Sequence, residues 1–246
     1  MSDSLVIIPT YNEKENIESI ISSVFELEKD FDVLVVDDCS PDGTGVLVHN
    51  LINNNQSTHK LHIIERKGKL GLGTAYIEGF KFALANNYEY VFEMDADFSH
   101  NPKDLLPLYN ACKNDGYDMA IGSRYATGVN VVNWPMGRVL MSYFASMYVR
   151  VITGMNIRDT TAGFVCLHKK VLETIDLDKI RFIGYAFQIE MKFTAFKYGF
   201  NITEVPIIFT DRTKGQSKMT KGIFKEAVIG VIQMKIRSWF YKYISA

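Results

Sequence analysis

The sequence predicts an α/β fold, a mostly parallel central sheet with helices on both faces, in a single domain of 246 residues. Three observations lead there. Short apolar runs, suited to strands buried on both faces, alternate with longer amphipathic segments through the first half of the chain. Polar residues follow each of these runs, as at the ligand-binding edge of a parallel sheet. Finally, a chain of this length, 47% hydrophobic and 22% charged, can bury one large core.

Leu5–Pro9 reads as the first strand, and Glu13–Leu27 as a helix with Ile17, Ile20, Ile21 and Val24 on one face. Asp32–Asp37 is a second strand, ended by the turn residues Ser40-Pro41-Asp42-Gly43, and Leu61–Ile64 is a third. Gly71–Asn87 reads as a helix and Tyr90–Met94 as a fourth strand, while Asn101-Pro102 opens a further helix. Thr10-Tyr11-Asn12-Glu13, Asp37-Asp38, Glu65-Arg66-Lys67 and Asp95-Ala96-Asp97 leave the strand ends and are expected to gather on one edge. The second half is less regular. Met119–Arg124, Gly163–Leu167 and Asn201–Thr210 read as strands and Val139–Thr153 as an apolar, aromatic helix. A polar loop at Asp211–Lys218 precedes a final amphipathic helix from about Lys221 to Tyr243.

Composition excludes several classes. With 27 basic and 28 acidic residues the formal charge is -1, which argues against a nucleic-acid partner. Cys39, Cys112 and Cys166 form no CxxC pair, so a disulfide framework or zinc ribbon is not expected. The N-terminus has no basic segment ahead of its short apolar run, and no stretch approaches the roughly 18 apolar residues of a membrane span. A cytoplasmic or peripheral protein without a transmembrane segment is expected.

Asp95-x-Asp97 can offer oxygen ligands to a hard divalent cation such as Mg2+ or Mn2+ bridging phosphates. The alternative is a capped turn, with Asp97 or Ser99 as N-cap ahead of Pro102. Asp37-Asp38 can accept hydrogen bonds from a base or ribose, or one of the two can close an Asx-turn into Ser40. The basic, glycine-rich run Glu65–Gly73 opens a helix and offers cations and backbone N–H groups to an anion. It has neither the Lys-Ser/Thr ending of a P-loop nor the dinucleotide glycine spacing. Arg124, Arg138, Arg212 and Lys218 stand in loops suited to phosphate clamps, or are merely solvated. The histidines lack HxxxH or HExxH spacing, and His100 suits turn capping as well as function.

Together these motifs have a family pattern. Pro9-Thr10-Tyr11-Asn12-Glu13, Val36–Thr44, Arg66–Gly73, Met94–His100, Gly122-Ser123-Arg124-Tyr125, Asp159-Thr160-Thr161-Ala162-Gly163-Phe164 and Gly215–Met219 occur in that order. Over residues 5 to about 220 the chain resembles the dolichol-phosphate (polyprenol-phosphate) mannosyltransferases, inverting glycosyltransferases with the Rossmann-like GT-A fold. The resemblance implies a nucleotide-sugar half at about 1–120, an acceptor half at about 121–220 and a C-terminal amphipathic helix at 221–246. It implies transfer of mannose from GDP-mannose to a polyprenyl phosphate, giving a β-linked product. Pro9, Tyr11, Glu13, Asp38 and Lys69 would bind the donor nucleotide, with Arg212 and Lys218 closing over its diphosphate. Asp95 and Asp97 would hold the metal, with Ser99 where many relatives carry Gln, a stronger ligand. Arg124, Arg138 and Ser142 would hold the acceptor phosphate, and Asp97, Arg124 and Arg138 would carry the catalytic charge neutralisation.

An acceptor phosphate is already anionic, so this chemistry needs little or no general base. The alternatives are a UDP-sugar donor (glucose or N-acetylglucosamine) with a polyprenyl-phosphate or glycan acceptor, and a non-catalytic binding subunit. A strand-DxD phosphatase would carry its motif at the start of the chain, and a sugar nucleotidyltransferase needs a Gly-Gly-x-Gly-x-Arg loop that is absent. The aromatic and basic residues of the helices at Val139–Thr153 and Lys221–Tyr243 suit docking on the cytosolic face of a membrane or on a membrane-protein partner. The alternative is simple packing on the sheet or an oligomer interface.

Overall fold

The computed structural model describes residues 2–55, 58–184, 186–211 and 221–243, with side chains of the last stretch described from residue 228. Strands β1 (Ser4–Thr10), β2 (Asp32–Asp37), β3 (Leu61–Glu65) and β4 (Tyr90–Glu93) alternate with helices α1 (Ile17–Phe25), α2 (Thr44–Asn54) and α3 (Leu72–Ala85). After α4 (Leu105–Lys113) come β5 (Met119–Ser123), β6 (Val131–Val132), α5 (Met136–Thr153), β7 (Val165–His168), α6 (Lys169–Thr174) and α7 (Ala186–Tyr198). β8 (Ile202–Pro206), β9 (Phe209–Thr210) and α8 (Lys221–Ser238) complete the order.

Seven strands form the main sheet in the order β3-β2-β1-β4-β7-β5-β8, and β6 pairs with β9 in a small second sheet. The main sheet is parallel except at β7, which runs antiparallel to both β4 and β5. Successive residues of a strand face opposite sides, so each strand feeds two cores. Val6 and Ile8 of β1 and Val33 and Val35 of β2 pack with α1, α2 and α4. Leu5, Ile7, Leu34 and Val36 pack with α3, α5, α6, α7 and α8 on the other face. The expected sheet with helices on both faces is what the chain builds. Its strand order reverses between β1 and β4, which opens a crevice at their carboxyl ends.

The boundaries differ where loops compete with helices. α1 starts at Ile17 rather than Glu13. Glu13 N–H donates to Thr44 Oγ1 (3.1 Å) and Lys14 N–H to Asp42 Oδ2 (3.1 Å), tying this segment to the loop after β2 instead. The strand expected over Asn201–Thr210 breaks at Pro206, and its end leaves the main sheet to pair with β6. The final helix stops at Ser238, short of Tyr243. α2, α6 and α7 were not expected from the pattern. α7 is buried around most of its circumference, which erases the one-sided stripe that marks a surface helix.

α5 and α8 lie side by side, with Tyr148 Oη donating to Val228 O (2.9 Å) and Lys235 Nζ to Thr153 O (3.0 Å). Each turns a narrow face inward, Val149 on α5 and Val231 and Met234 on α8. Leu140, Phe144, Val151, Ile232, Ile236, Trp239 and Phe240 remain exposed. Packing on the core and presenting an apolar surface therefore coexist. Among the described residues, no helix is long and apolar enough to cross a membrane.

Candidate active site

The strand ends meet as expected. Asp38 N–H donates to Thr10 O (3.0 Å) and Arg66 N–H to Asp37 O (2.8 Å), joining the three loops that follow β1, β2 and β3. The two aspartates after β2 divide their work. Asp37 accepts from Thr10 Oγ1 (2.7 Å), Ser40 Oγ (2.6 Å) and Ser40 N–H (2.9 Å), so Asp37 closes the Asx-turn. Asp38, also buried, forms an ion pair with Arg66 and accepts its Nε–H at 2.5 Å. Burial pushes the Asp38 carboxyl up, and the Arg66 guanidinium acts in the opposite direction. Arg66 further donates to Thr74 Oγ1 (2.6 Å) and Gly71 O (3.1 Å), fixing the glycine-rich loop to the start of α3. That loop needs its glycines. A Cβ at Gly73 would lie 2.6 Å from Phe182 O, and Gly71 sits at φ +105° with its virtual Cβ 2.9 Å from Ile183 O. Lys69 Nζ stands 4.7 Å above the Tyr11 ring, so these two candidate donor residues meet, beside half-buried Pro9 and Glu13.

β4 delivers the acidic motif into the crevice beside β1, with Glu93 in register with Ile7 and Met94 N–H donating to Ile7 O (3.1 Å). Asp97 is 8% exposed and accepts from Ser99 N–H (3.1 Å) across Phe98, which adopts φ +59°. Neither Asp97 nor Ser99 caps the turn at Pro102. Asn101 does so, accepting from Lys103 N–H at 3.1 Å. The Ser99 hydroxyl is buried without a hydrogen-bond partner among the described residues. Asp95, Asp97 and the Ser99 hydroxyl are all oxygen donors, the ligand type that a hard divalent cation takes. No group of three His, Cys, Asp or Glu among the described residues offers a closed metal cage. His100 is buried against Phe164, ring centroids 4.8 Å apart. Burial lowers it to about 4, so the ring is neutral near pH 7.

Arg124 leaves β5 toward the same edge but is not loose. Its Nε donates to Asp159 Oδ2 (2.7 Å) and its Nη2 to Asp159 Oδ1 (2.6 Å) and Thr161 Oγ1 (2.8 Å). Three of the five guanidinium N–H groups are thereby used, and Nη1 makes no hydrogen bond among the described residues. Burial pushes the Asp159 carboxyl up, but the charge and hydrogen bonds of Arg124 outweigh it and hold Asp159 below its usual range. Glu204 on β8 supports this loop from beneath, accepting from the N–H groups of Arg158 (2.7 Å) and Asp159 (2.8 Å) and from Ser123 Oγ (2.7 Å). Arg138 stands not in a loop, as expected, but in the first turn of α5, which begins at Met136; it donates twice to Asp211 (2.9 Å each) and stacks 4.1 Å over the Trp134 ring. Arg124 lies 5.4 Å from the same ring, so both arginines approach Trp134. Ser142, one turn after Arg138, faces buried Tyr125. Arg212 and Lys218, with the Gly215–Met219 motif, lie outside the described residues.

Reading from sequence missed the partners. Asp159 and Thr161 lie in the Asp159–Phe164 motif with no role evident from sequence, Arg66 reads only as part of a basic run, and Trp134 and Glu204 carry no local signal.

A doubly wound sheet with a carboxylate pair at its switch point is the GT-A glycosyltransferase architecture. The chain belongs to glycosyl transferase family 2, whose model matches residues 5–176. It is 44% identical over 234 residues to a polyprenol monophosphomannose synthase of Mycolicibacterium smegmatis, covering 95% of this chain and 87% of that protein. It is also 44% identical over 227 residues to an undecaprenyl-phosphate mannosyltransferase of Micrococcus luteus, covering 92% and 91%. Among solved structures, glucosyl-3-phosphoglycerate synthase from Mycobacterium tuberculosis, in complex with Mn2+, UDP and glucosyl-3-phosphoglycerate, superposes with a TM-score of 0.67 at 16% identity. That alignment covers 97% of this chain and 80% of the other, and shows the shared fold.

Proposed function

We propose that the protein transfers mannose from GDP-mannose to a polyprenyl phosphate with inversion, giving a polyprenyl-phosphate β-mannose. The observation that carries this reading is that Asp97 of the acidic pair and the braced Arg124 both lie within electrostatic reach of the buried His100, matched by 44% identity to two enzymes named for polyprenyl-phosphate mannose synthesis.

Pro9, Tyr11, Glu13, Asp38 and Lys69 bind the nucleotide, with Asp38 held ready by Arg66. A divalent cation, Mg2+ or Mn2+, held by Asp95 and Asp97 and by the Ser99 hydroxyl, would neutralise diphosphate charge and ease departure of the nucleoside diphosphate. Arg124, through Nη1, and Arg138 with Ser142 hold the acceptor phosphate, whose oxygen attacks the anomeric carbon from the side opposite the leaving group. The barrier being overcome is the approach of two anions, and fixed cations lower it without abstracting a proton. Incubation with GDP-mannose, UDP-glucose or UDP-N-acetylglucosamine and a short polyprenyl phosphate tests the assignment. Only GDP-mannose is expected to be consumed, with matching formation of mannosyl lipid. Consumption of a UDP-sugar alone would remove the mannose assignment.

The acceptor is a lipid, so the exposed faces of α5 and α8 are placed at the surface of a membrane on its cytosolic side. Trp239 is 69% and Phe240 84% exposed, next to Lys235 and Arg237 in the last turn of α8. Aromatic residues with flanking cations favour the headgroup region. In a liposome flotation assay the protein is expected to float, and the Trp239→Ser/Phe240→Ser double variant to lose most of that binding without a change in melting temperature. Equal binding of both, or of neither, would reject this docking face.

A further inference from the structure

α7 carries three long polar side chains into the core, Gln188 at 2%, Glu190 at 7% and Lys192 at 1% exposure. Glu190 is accounted for locally, since its Oε2 accepts the N–H groups of Arg181 (2.8 Å) and Phe182 (2.9 Å). Lys192 and Gln188 reach further. Lys192 Nζ donates to Ala162 O (2.6 Å), Gln188 O (3.2 Å) and Gln188 Oε1 (3.1 Å), which uses all three ammonium protons. The Gln188 amide, its oxygen facing the ammonium, turns its Nε2 to donate to Glu93 Oε2. Glu93 is itself 1% exposed. A buried ammonium is thus joined to a buried carboxylate through one amide.

A methionine or leucine would pack in that space without the penalty of burying charge, so fold stability alone does not call for this arrangement. Its two ends explain it better. Glu93 closes β4, two residues before Asp95. Ala162 follows Thr161, and Thr161 and Asp159 hold the Arg124 guanidinium. Lys192 also lies within electrostatic reach of Asp159.

We propose that Lys192 is a positioning residue that holds the Asp159–Ala162 loop, and through it Arg124, in fixed relation to the strand bearing Asp95 and Asp97. This rests on Arg124 being the acceptor-phosphate clamp described above. Removing the ammonium frees the Ala162 carbonyl and lets the loop shift, while the nucleotide pocket at the ends of β1 to β3 keeps its own supports. The defect therefore falls on the acceptor rather than on the donor.

The test uses the full chain with Lys192→Met, Glu93→Gln and the double variant. Three quantities are read: melting temperature, affinity for GDP with Mn2+ by titration, and KM for a short polyprenyl phosphate. Lys192→Met is expected to raise the acceptor KM at least about tenfold while GDP affinity moves less than about threefold. That variant leaves Glu93 buried and uncompensated, so its melting temperature falls as well. The double variant replaces the carboxyl left without its cation by a neutral amide and is expected to recover melting temperature but not acceptor KM, because the tie to Ala162 is still missing. Recovery of both together would assign Lys192 a structural role only and overturn the proposal. So would an unchanged acceptor KM in folded Lys192→Met, or parallel losses for donor and acceptor. A wild-type protein that binds GDP with Mn2+ but does not use polyprenyl phosphate would instead remove the functional reading beneath it.

Discussion

Asp97→Ala is expected to lower kcat/KM for mannosyl transfer by at least about a thousandfold, the equivalent of about 4 kcal/mol of transition-state stabilisation. Asp97 is the buried member of the acidic pair, at the mouth of the crevice between β1 and β4, with the Ser99 hydroxyl, partnerless among the described residues, two residues on. Its Oδ1 also accepts from Ser99 N–H, so alanine removes both a charge and a turn-closing contact. Asp97→Asn separates the two roles. The amide oxygen can keep the Ser99 N–H bond, but it cannot neutralise a cation. Both variants are expected to lose turnover to a similar degree and to lose Mn2+ binding in titrations, with Asp97→Asn melting close to the parent. Turnover by Asp97→Asn within about tenfold of the parent would show that the carboxylate shapes the turn rather than holding charge.

The second large effect is at Asp159. Replacing it by Asn leaves Arg124, 8% exposed, with its charge uncompensated inside the protein. Removing one partner of a buried ion pair costs about 3–5 kcal/mol. For a chain of this size that is a fall in melting temperature of roughly 6–20 °C. Activity should fall further than the folded fraction, because Arg124 also loses the bidentate support that aims its Nη1. The measurement is calorimetric unfolding beside acceptor KM below the transition. A shift under about 2 °C would mean that the pair contributes little net stability.

The pair also makes a statement about pH. A carboxyl held below its usual range contributes stability that is fully present above the unfolded value near 3.9. That contribution is lost only as pH falls through the lower folded value, so it is constant across the neutral range.

Much of this was legible in the chain. The apolar runs Leu5–Pro9 and Asp32–Asp37 could only be buried strands, and their polar successors had to collect at one edge because parallel strands share a direction. Other features resist local reading. β7 runs against its neighbours, yet Val165–His168 reads like any other buried strand, since direction within a sheet depends on the connection and not on the residues. Likewise α7 shows no stripe because it is buried nearly all round, and that hid Gln188 and Lys192.

The sequence by itself determined the α/β class, the order of strands along the chain and the set of acidic and basic residues available for a nucleotide-sugar site. These follow from periodicity and from what lies next to a strand end. Only the tertiary structure decided which member of each set does what. It gave Asp37 to the turn and Asp38 to Arg66, moved the cap from Ser99 to Asn101, and braced Arg124 with a carboxylate 35 residues away. The reason is physical: whether a buried charge is tolerated depends on partners brought together across the sheet, and such contacts have no period along the chain.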